Sequence, residues 1–101
     1  MDAELVIARE AHEDIGAAYG WYERRRRGLG EESPSAVEAC FNRIARQPRI
    51  HSVVFQRYRR ALVRRFPYAV FYESSAGRVT VYGVLHTARD PEKWQRRLKG
   101  Q

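Results

Sequence analysis

Apolar and polar positions change period twice along this chain. Glu4-Leu-Val-Ile-Ala8 is a short β-favouring run with the polar pair Arg9-Glu10 beyond its end, and it predicts a first strand. Ala11, Ile15, Ala18, Tyr19 and Tyr22 then recur at spacings of three and four, which lines one face of a helix, while His12, Glu13, Glu23 and Arg26 fall largely elsewhere. Arg24 to Arg27 occupy the last turns, where cations complement the negative end of the helix dipole, and Gly28-Leu-Gly30 ends the segment. A second helix carries Val37, Cys40, Phe41 and Ile44 in the same pattern and closes at Pro48. Its start has two readings: Ser33 as cap with Pro34 at the first helical position, or a capping box made by Ser35 and Glu38. With about five residues between them, the two helices form an antiparallel hairpin.

From Ile50 onward β-branched and aromatic residues dominate and the period becomes that of strands. Val53 to Arg65 contains at least one strand, Tyr68 to Ser74 another and Arg78 to His86 a third. Phe66-Pro67 makes the first corner, and Ser74-Ser-Ala-Gly77 has the length and chemistry of a hairpin loop. In the tail, Asp90-Pro91 starts a short helix with Trp94 and Leu98 four residues apart. No repeat, low-complexity tract or linker interrupts this order.

Length and composition narrow the picture. A chain of 101 residues holds one core, so one domain over residues 1–101 is expected. No run of about 18 apolar residues and no signal-peptide pattern is present, which predicts a soluble cytoplasmic chain without membrane contact. The single Cys40 excludes an internal disulfide and a Cys-based zinc site, and it falls on the apolar face of the second helix as an inert core thiol. His12 and His51 have no spacing relation to acidic residues that suggests a metal, so neither metal nor cofactor is expected. Nineteen Lys and Arg against twelve Asp and Glu give a net charge of +7, dominated by arginine. Such a chain calls for an anionic partner, and nucleic acid and an acidic protein segment fit equally well.

Arg64-Arg-Phe-Pro-Tyr-Ala-Val-Phe-Tyr72, followed by Glu73, resembles the central strand pair of the RelE/ParE superfamily of small toxins from bacterial toxin–antitoxin modules. The likeness extends to the Asp14-Ile-x-x-Ala-Tyr-x-Trp-Tyr-Glu23 helix, the Gly28-Leu-Gly30 break and the Val84-Leu-His-x-x-Arg-Asp-Pro-x-x-Trp94 ending, in the same order. The resemblance implies an α+β fold: an N-terminal strand, a helical hairpin packed on a small twisted antiparallel sheet, and a short C-terminal helix. It also implies a cognate antitoxin that neutralises the toxin by wrapping an acidic, partly disordered segment around it. The superfamily splits by target. RelE-like members cleave mRNA at the ribosome without a metal; ParE-like members poison DNA gyrase. The WYE helix, the FPY corner and the LHTARDPEKW ending are more similar to ParE-type and plasmid-stabilisation members, and a lysine-rich active surface is missing, with lysine only at 93 and 99.

Metal-independent RNA cleavage needs a base for the 2′-hydroxyl, cations for phosphate and an acid for the leaving oxygen. The candidates are His86, in the region where ribonuclease members place an acid or base, with Arg89 and Arg64 beside it as catalytic cations. Arg60, Arg65, Tyr72 and Trp94 are candidates for contacts to target or nucleic acid. A period of two places Arg60 and Arg64 on one strand face and Arg65 on the other. It likewise divides Tyr68, Val70 and Tyr72 from Ala69, Phe71 and Glu73, where packing competes with base stacking. Glu73 is expected in a cross-strand ion pair, the Arg24 to Arg27 run reads as an electrostatic patch or a solvated helix end, and Trp94 with Leu98 either latches the last helix onto the sheet or leaves a groove for a partner. The function that follows is a type II toxin, ParE-like and directed at gyrase. Its alternatives are a RelE-like mRNA endoribonuclease and a non-toxic basic nucleic-acid-binding homologue.

Overall fold

The protein is seen here as a computed structural model that describes residues 2–101. Strand β1 (Glu4–Ile7) leads into a hairpin of two helices, α1 (Arg9–Arg25) and α2 (Leu29–Arg46). Strands β2 (Val53–Phe55), β3 (Tyr58–Leu62), β4 (Tyr68–Ser75) and β5 (Arg78–His86) follow, and helix α3 (Pro91–Lys99) ends the chain. The sheet runs β1-β5-β4-β3-β2. Its last four members pair antiparallel, as their short connections require, but β1 lies parallel to β5 with Leu5 opposite Val79. The expected all-antiparallel sheet is therefore a mixed one. A strand that returns to the sheet only after both helices can run parallel, because the crossover is long enough to reach either direction.

Both faces of the sheet are covered, which explains why β4 reads as a nearly continuous apolar run. Towards the hairpin, Val70 and Tyr72 of β4 join Val79, Val81 and Val84 of β5 against Tyr22, Cys40 and Ile44, all buried. On the opposite face Ala69 and Phe71 meet Leu85, Tyr58 and Leu98, with Trp94 packed alongside. The division of β4 between its two faces is the one that strand alternation predicts. One irregularity disturbs it: Phe71 faces Gly83 while Tyr72 faces Val81, so Tyr82 bulges from β5.

The second helix starts earlier than either reading of the sequence places it. Leu29 is its first residue, Gly28 precedes it at φ 88°, and Pro34 lies inside it. Glu23, near the end of α1, supplies the missing cap: its carboxylate accepts from the Gly28 N–H at 3.1 Å and the Gly30 N–H at 3.0 Å. A negative group there meets the unsatisfied donors and the positive end of the α2 dipole. Pro34 has no N–H for the Gly30 carbonyl, and the buried Ser33 hydroxyl donates to that oxygen instead, at 3.3 Å. The hairpin connection consequently shrinks to residues 26–28.

Arg64 and Arg65 lie outside any strand, so the alternation argument for their faces does not apply. They belong to the turn between β3 and β4, where Arg65 takes φ 73° and donates to Glu32 on α2 at 2.8 Å. The hairpin after β4 is tighter than the four-residue loop expected. Ser75 pairs with Arg78, leaving Ala76 and Gly77 as the turn, both at positive φ, which matches the right-handed twist of the strands. Pro91 opens α3 as expected, but Asp90 makes no side-chain cap bond. Among the described residues no helix is long and apolar enough to cross a membrane.

Candidate functional site

The sheet edge beyond β1 carries the first cluster of polar chemistry. Strand β1 pairs with β5 only as far as Val81, so residues 82–86 of β5 have no strand neighbour on that side. Asp14 and Arg97, from helices on opposite faces of the sheet, fill this gap. The Asp14 carboxylate accepts from the Val84 N–H at 2.9 Å and from both terminal nitrogens of Arg97, at 2.8 and 3.1 Å. Arg97 also donates to the Tyr82 carbonyl at 3.2 Å. The two side chains are only 14% and 24% exposed, and Asp14 holds the Arg97 guanidinium above its ordinary pKa. The bulge at Tyr82 and the small Gly83 make the approach possible; a Cβ at Gly83 would sit 3.2 Å from the guanidinium. Asp14 is visible in the sequence as part of a motif, but its partner 83 residues away has no signature.

Next to this pair a cleft of about 170 Å³ opens between α1 and the end of β5, lined by Trp21, Tyr68, His86 and Arg89 together with Asp14. Tyr68 and His86 sit opposite each other on β4 and β5, with ring centres 5.3 Å apart. Trp21 is 42% exposed, and the guanidinium of Arg25 stacks on it at 3.7 Å. Burial pushes the Tyr68 phenol above its ordinary range, with the positive charge of Arg89 opposing and Asp14 adding to the rise. The Ala88 N–H donates to Nδ1 of His86 at 3.0 Å. A backbone N–H can only donate, so the neutral ring carries its proton on Nε2 and has no lone pair there to act as a base.

The third candidate, Arg64, is not with His86 and Arg89. It lines a groove of about 370 Å³ on the far side of β4, along the outer edge of β3, with Arg43, Arg60, His51 and the exposed Leu62 and Ile50. Here β2 has ended, leaving Leu62 on β3 without a strand partner on the outer side, and Arg43 donates to its carbonyl at 3.1 Å. Arg43, Arg60 and Arg64 make no ion pair among the described residues. Burial and the charges of Arg43 and Arg59 hold His51 below its ordinary pKa, and its Nε2 is buried without a partner among the described residues. Arg43 and Arg64 also line a second groove, about 580 Å³, floored by Ala36 and Ala39 of α2, so the two grooves meet at this pair.

Two candidates for target contact are structural residues. Tyr72 is fully buried, its hydroxyl donating to the Pro48 carbonyl at 2.6 Å, so no base can reach it. Trp94 stacks on Phe71 at 5.1 Å and meets Phe55 edge-on, which makes it the latch of α3. Arg65 is exposed but paired with Glu32. Glu73 binds Arg57, in the turn between β2 and β3. Burial raises the Cys40 thiol's pKa, opposed by Arg43 and Arg64. No group of three or more metal-ligating side chains occurs among the described residues.

No curated protein sequence matches the chain. Among solved structures, the chain is similar to one from the chromosomal ParDE TA system of P. aeruginosa, with a TM-score of 0.64 at 14% identity, covering 83% of this chain and 95% of that one. That likeness concerns the fold. The family model of the ParE toxin of type II toxin–antitoxin systems, parDE, matches residues 5–91, and since this is most of the chain, the protein belongs to the ParE toxin family.

Proposed function

We propose that this ParE toxin acts by binding DNA gyrase and not by hydrolysing RNA, and that a cognate antitoxin holds it inactive through an acidic segment. The observation that supports a non-hydrolytic toxin is the bond from the Ala88 N–H to Nδ1 of His86. That bond counts against His86 as the base, and Arg64 lines a different groove from Arg89. A ribonuclease of this kind needs base, acid and cations around one phosphate.

The antitoxin's place is the pair of grooves that meet at Arg43 and Arg64. Ala36 and Ala39 give a floor low enough for a helix to approach closely, and the adjoining groove runs along the outer edge of β3 beside Leu62. Three arginines without carboxylate partners among the described residues, Arg43, Arg60 and Arg64, lie along the groove of about 370 Å³, and an acidic segment would supply those partners.

Expression of the chain alone is expected to arrest growth and produce gyrase-dependent DNA breaks while leaving mRNA intact, and co-expression of its antitoxin to restore growth. Cleavage of mRNA in a translating extract, lost on His86→Ala or Arg89→Ala, would replace this reading with the ribonuclease one. For the antitoxin, Arg43→Ala with Arg64→Ala is expected to weaken the complex at least tenfold and flatten its salt dependence. Unchanged affinity would move the docking surface elsewhere.

A further inference from the structure

Between α2 and β2, residues 47–52 form a strap that touches the body of the protein at few points. Gln47, Arg49, Ile50 and Ser52 are exposed, and only Pro48 and His51 are half-buried. The anchors to β3 and β4 are strap carbonyls. The Tyr72 hydroxyl donates to that of Pro48, Arg59 donates to those of Arg49 and His51 at 3.1 and 2.7 Å, and the Arg60 N–H donates to that of Ser52 at 3.0 Å. The His51 ring meets Tyr72 edge-on with centres 6.2 Å apart, and its Nε2 is the buried nitrogen without a partner among the described residues. Every charge facing this ring is positive: Arg43 from α2 and Arg59 from β3, with Arg60 and Arg64 lining the same groove. Tyr72, from β4, stays a neutral phenol with its pKa pushed up to about 12, and no carboxylate lines the groove among the described residues.

A neutral imidazole tolerates this position, because Nε2 can be the ring's lone-pair nitrogen and leave only an acceptor unmet. Protonation turns the same atom into a buried charged donor with no acceptor, beside the guanidinium that grips its own carbonyl. The ring then reaches water only by leaving its place, and the strap around it is otherwise exposed. We propose that residues 47–52 are a proton-sensitive strap, fastened while His51 is neutral and released when His51 takes a proton, which opens one wall of the groove of about 370 Å³. Burial and the charges of Arg43 and Arg59 hold the folded ring below its ordinary value of 6.5, so the fastening is complete above pH 6.5 and is lost as pH falls through the lower folded value. Ile50, His51 and Ser52 form the wall in question. The strap therefore governs whether the groove can receive the acidic segment, and this consequence alone rests on the docking reading above.

Amide hydrogen exchange of the full chain without any partner tests this, measured from about pH 7.5 to about pH 5 and corrected for the intrinsic rate at each pH. The Arg60 N–H is the reporter, because its acceptor is the strap carbonyl of Ser52. Between pH 6.5 and the folded value the open fraction gains up to about tenfold per pH unit, so Arg60 should lose at least about fivefold of its protection while the β4–β5 ladder keeps its own. His51→Phe, an aromatic ring that takes no proton, is expected to hold the Arg60 protection level across the range. His51→Gln, neutral and smaller, should do the same and replaces it if the phenylalanine variant does not fold. Undiminished Arg60 protection in the parent chain, an equal loss in either folded variant, or a loss shared by the β4–β5 ladder overturns the proposal. So does a His51 ring that titrates, by NMR, no lower than in the urea-unfolded chain. No antitoxin enters these measurements, so the strap and the docking surface fail separately.

Discussion

Removing Asp14 is expected to destabilise the protein more than any other single change of a charged residue, and the structure gives the size of the effect. Asp14→Ala deletes three charge-assisted hydrogen bonds, two from Arg97 and one from the Val84 N–H. Each such bond contributes about 1.5–3 kcal/mol when buried. Side-chain exposures of 14% and 24% let solvent screen part of this, and water can reach the freed groups. A loss of about 2–4 kcal/mol follows, which in a domain of this length lowers Tm by roughly 8 °C or more. Arg97→Ala should cost less, about 1–3 kcal/mol, because the carboxylate keeps its bond to Val84. The double variant discriminates this from ordinary surface pairing: urea denaturation followed by circular dichroism should show a sum short of additivity by about 1 kcal/mol or more. Additivity within about 0.3 kcal/mol, or an Asp14→Ala cost below about 1 kcal/mol, would refute the idea that this pair closes the sheet edge.

Three further outcomes follow from the packing. Gly30→Ala places a Cβ 2.7 Å from the Tyr19 carbonyl oxygen and should cost about 1–3 kcal/mol, whereas exposed Gly16, with nothing within 4 Å, should stabilise by about 0.5–1 kcal/mol when changed to Ala; thermal melts of the two variants check the contrast. Burial pushes the Tyr72 phenol up to about 12 from 10.0, offset in part by Arg59, so its contribution to stability is complete below pH 10 and is lost as pH rises towards 12. Tyr72→Phe should flatten that alkaline loss in urea titrations run across the window; an unchanged profile would show that ionisation of Tyr72 does not carry it. Cys40, buried and with its thiol pKa raised by that burial, should resist iodoacetamide at pH 8 in the native protein and react at once in urea, and rapid native labelling would contradict its place in the core.

Much of the fold could be read from periodicity because each apolar stripe has one neighbour to face. Ala11, Ala18 and Tyr22 on α1 and Val37, Cys40, Phe41 and Ile44 on α2 are on the expected faces and buried, Ile15 is half-buried, and Tyr19 of the same predicted stripe is exposed, its hydroxyl donating to Glu31. The start of α2 was not legible, since its cap is Glu23 of the preceding helix and not a local Ser or Asp. The parallel placement of β1 escaped for a similar reason: four residues with no turn beside them carry no sign of direction. At the candidate sites, His86 and Arg89 lie together because they are close in sequence, and Arg64 falls elsewhere because residues 64 and 65 form a turn, with Arg65 at positive φ, and do not continue the strand. Trp21 entered only through a family motif, and Arg43 of the groove was overlooked altogether; both fall on helices, where a residue's orientation depends on the tertiary neighbour.

The parallel pairing of β1 with β5 also has a temporal side. It joins the beginning of the chain to nearly its end, so the contact cannot form until Arg78 to Val81 have been synthesised and released from the ribosome. At about 5–20 residues per second, the two helices and the first strands exist for seconds before the sheet can close. Leu5 and Ile7 spend that interval without their partners Val79 and Val81. The sheet therefore closes only once β5 is available, and a chain cut short before β5 has nothing for its first strand to join.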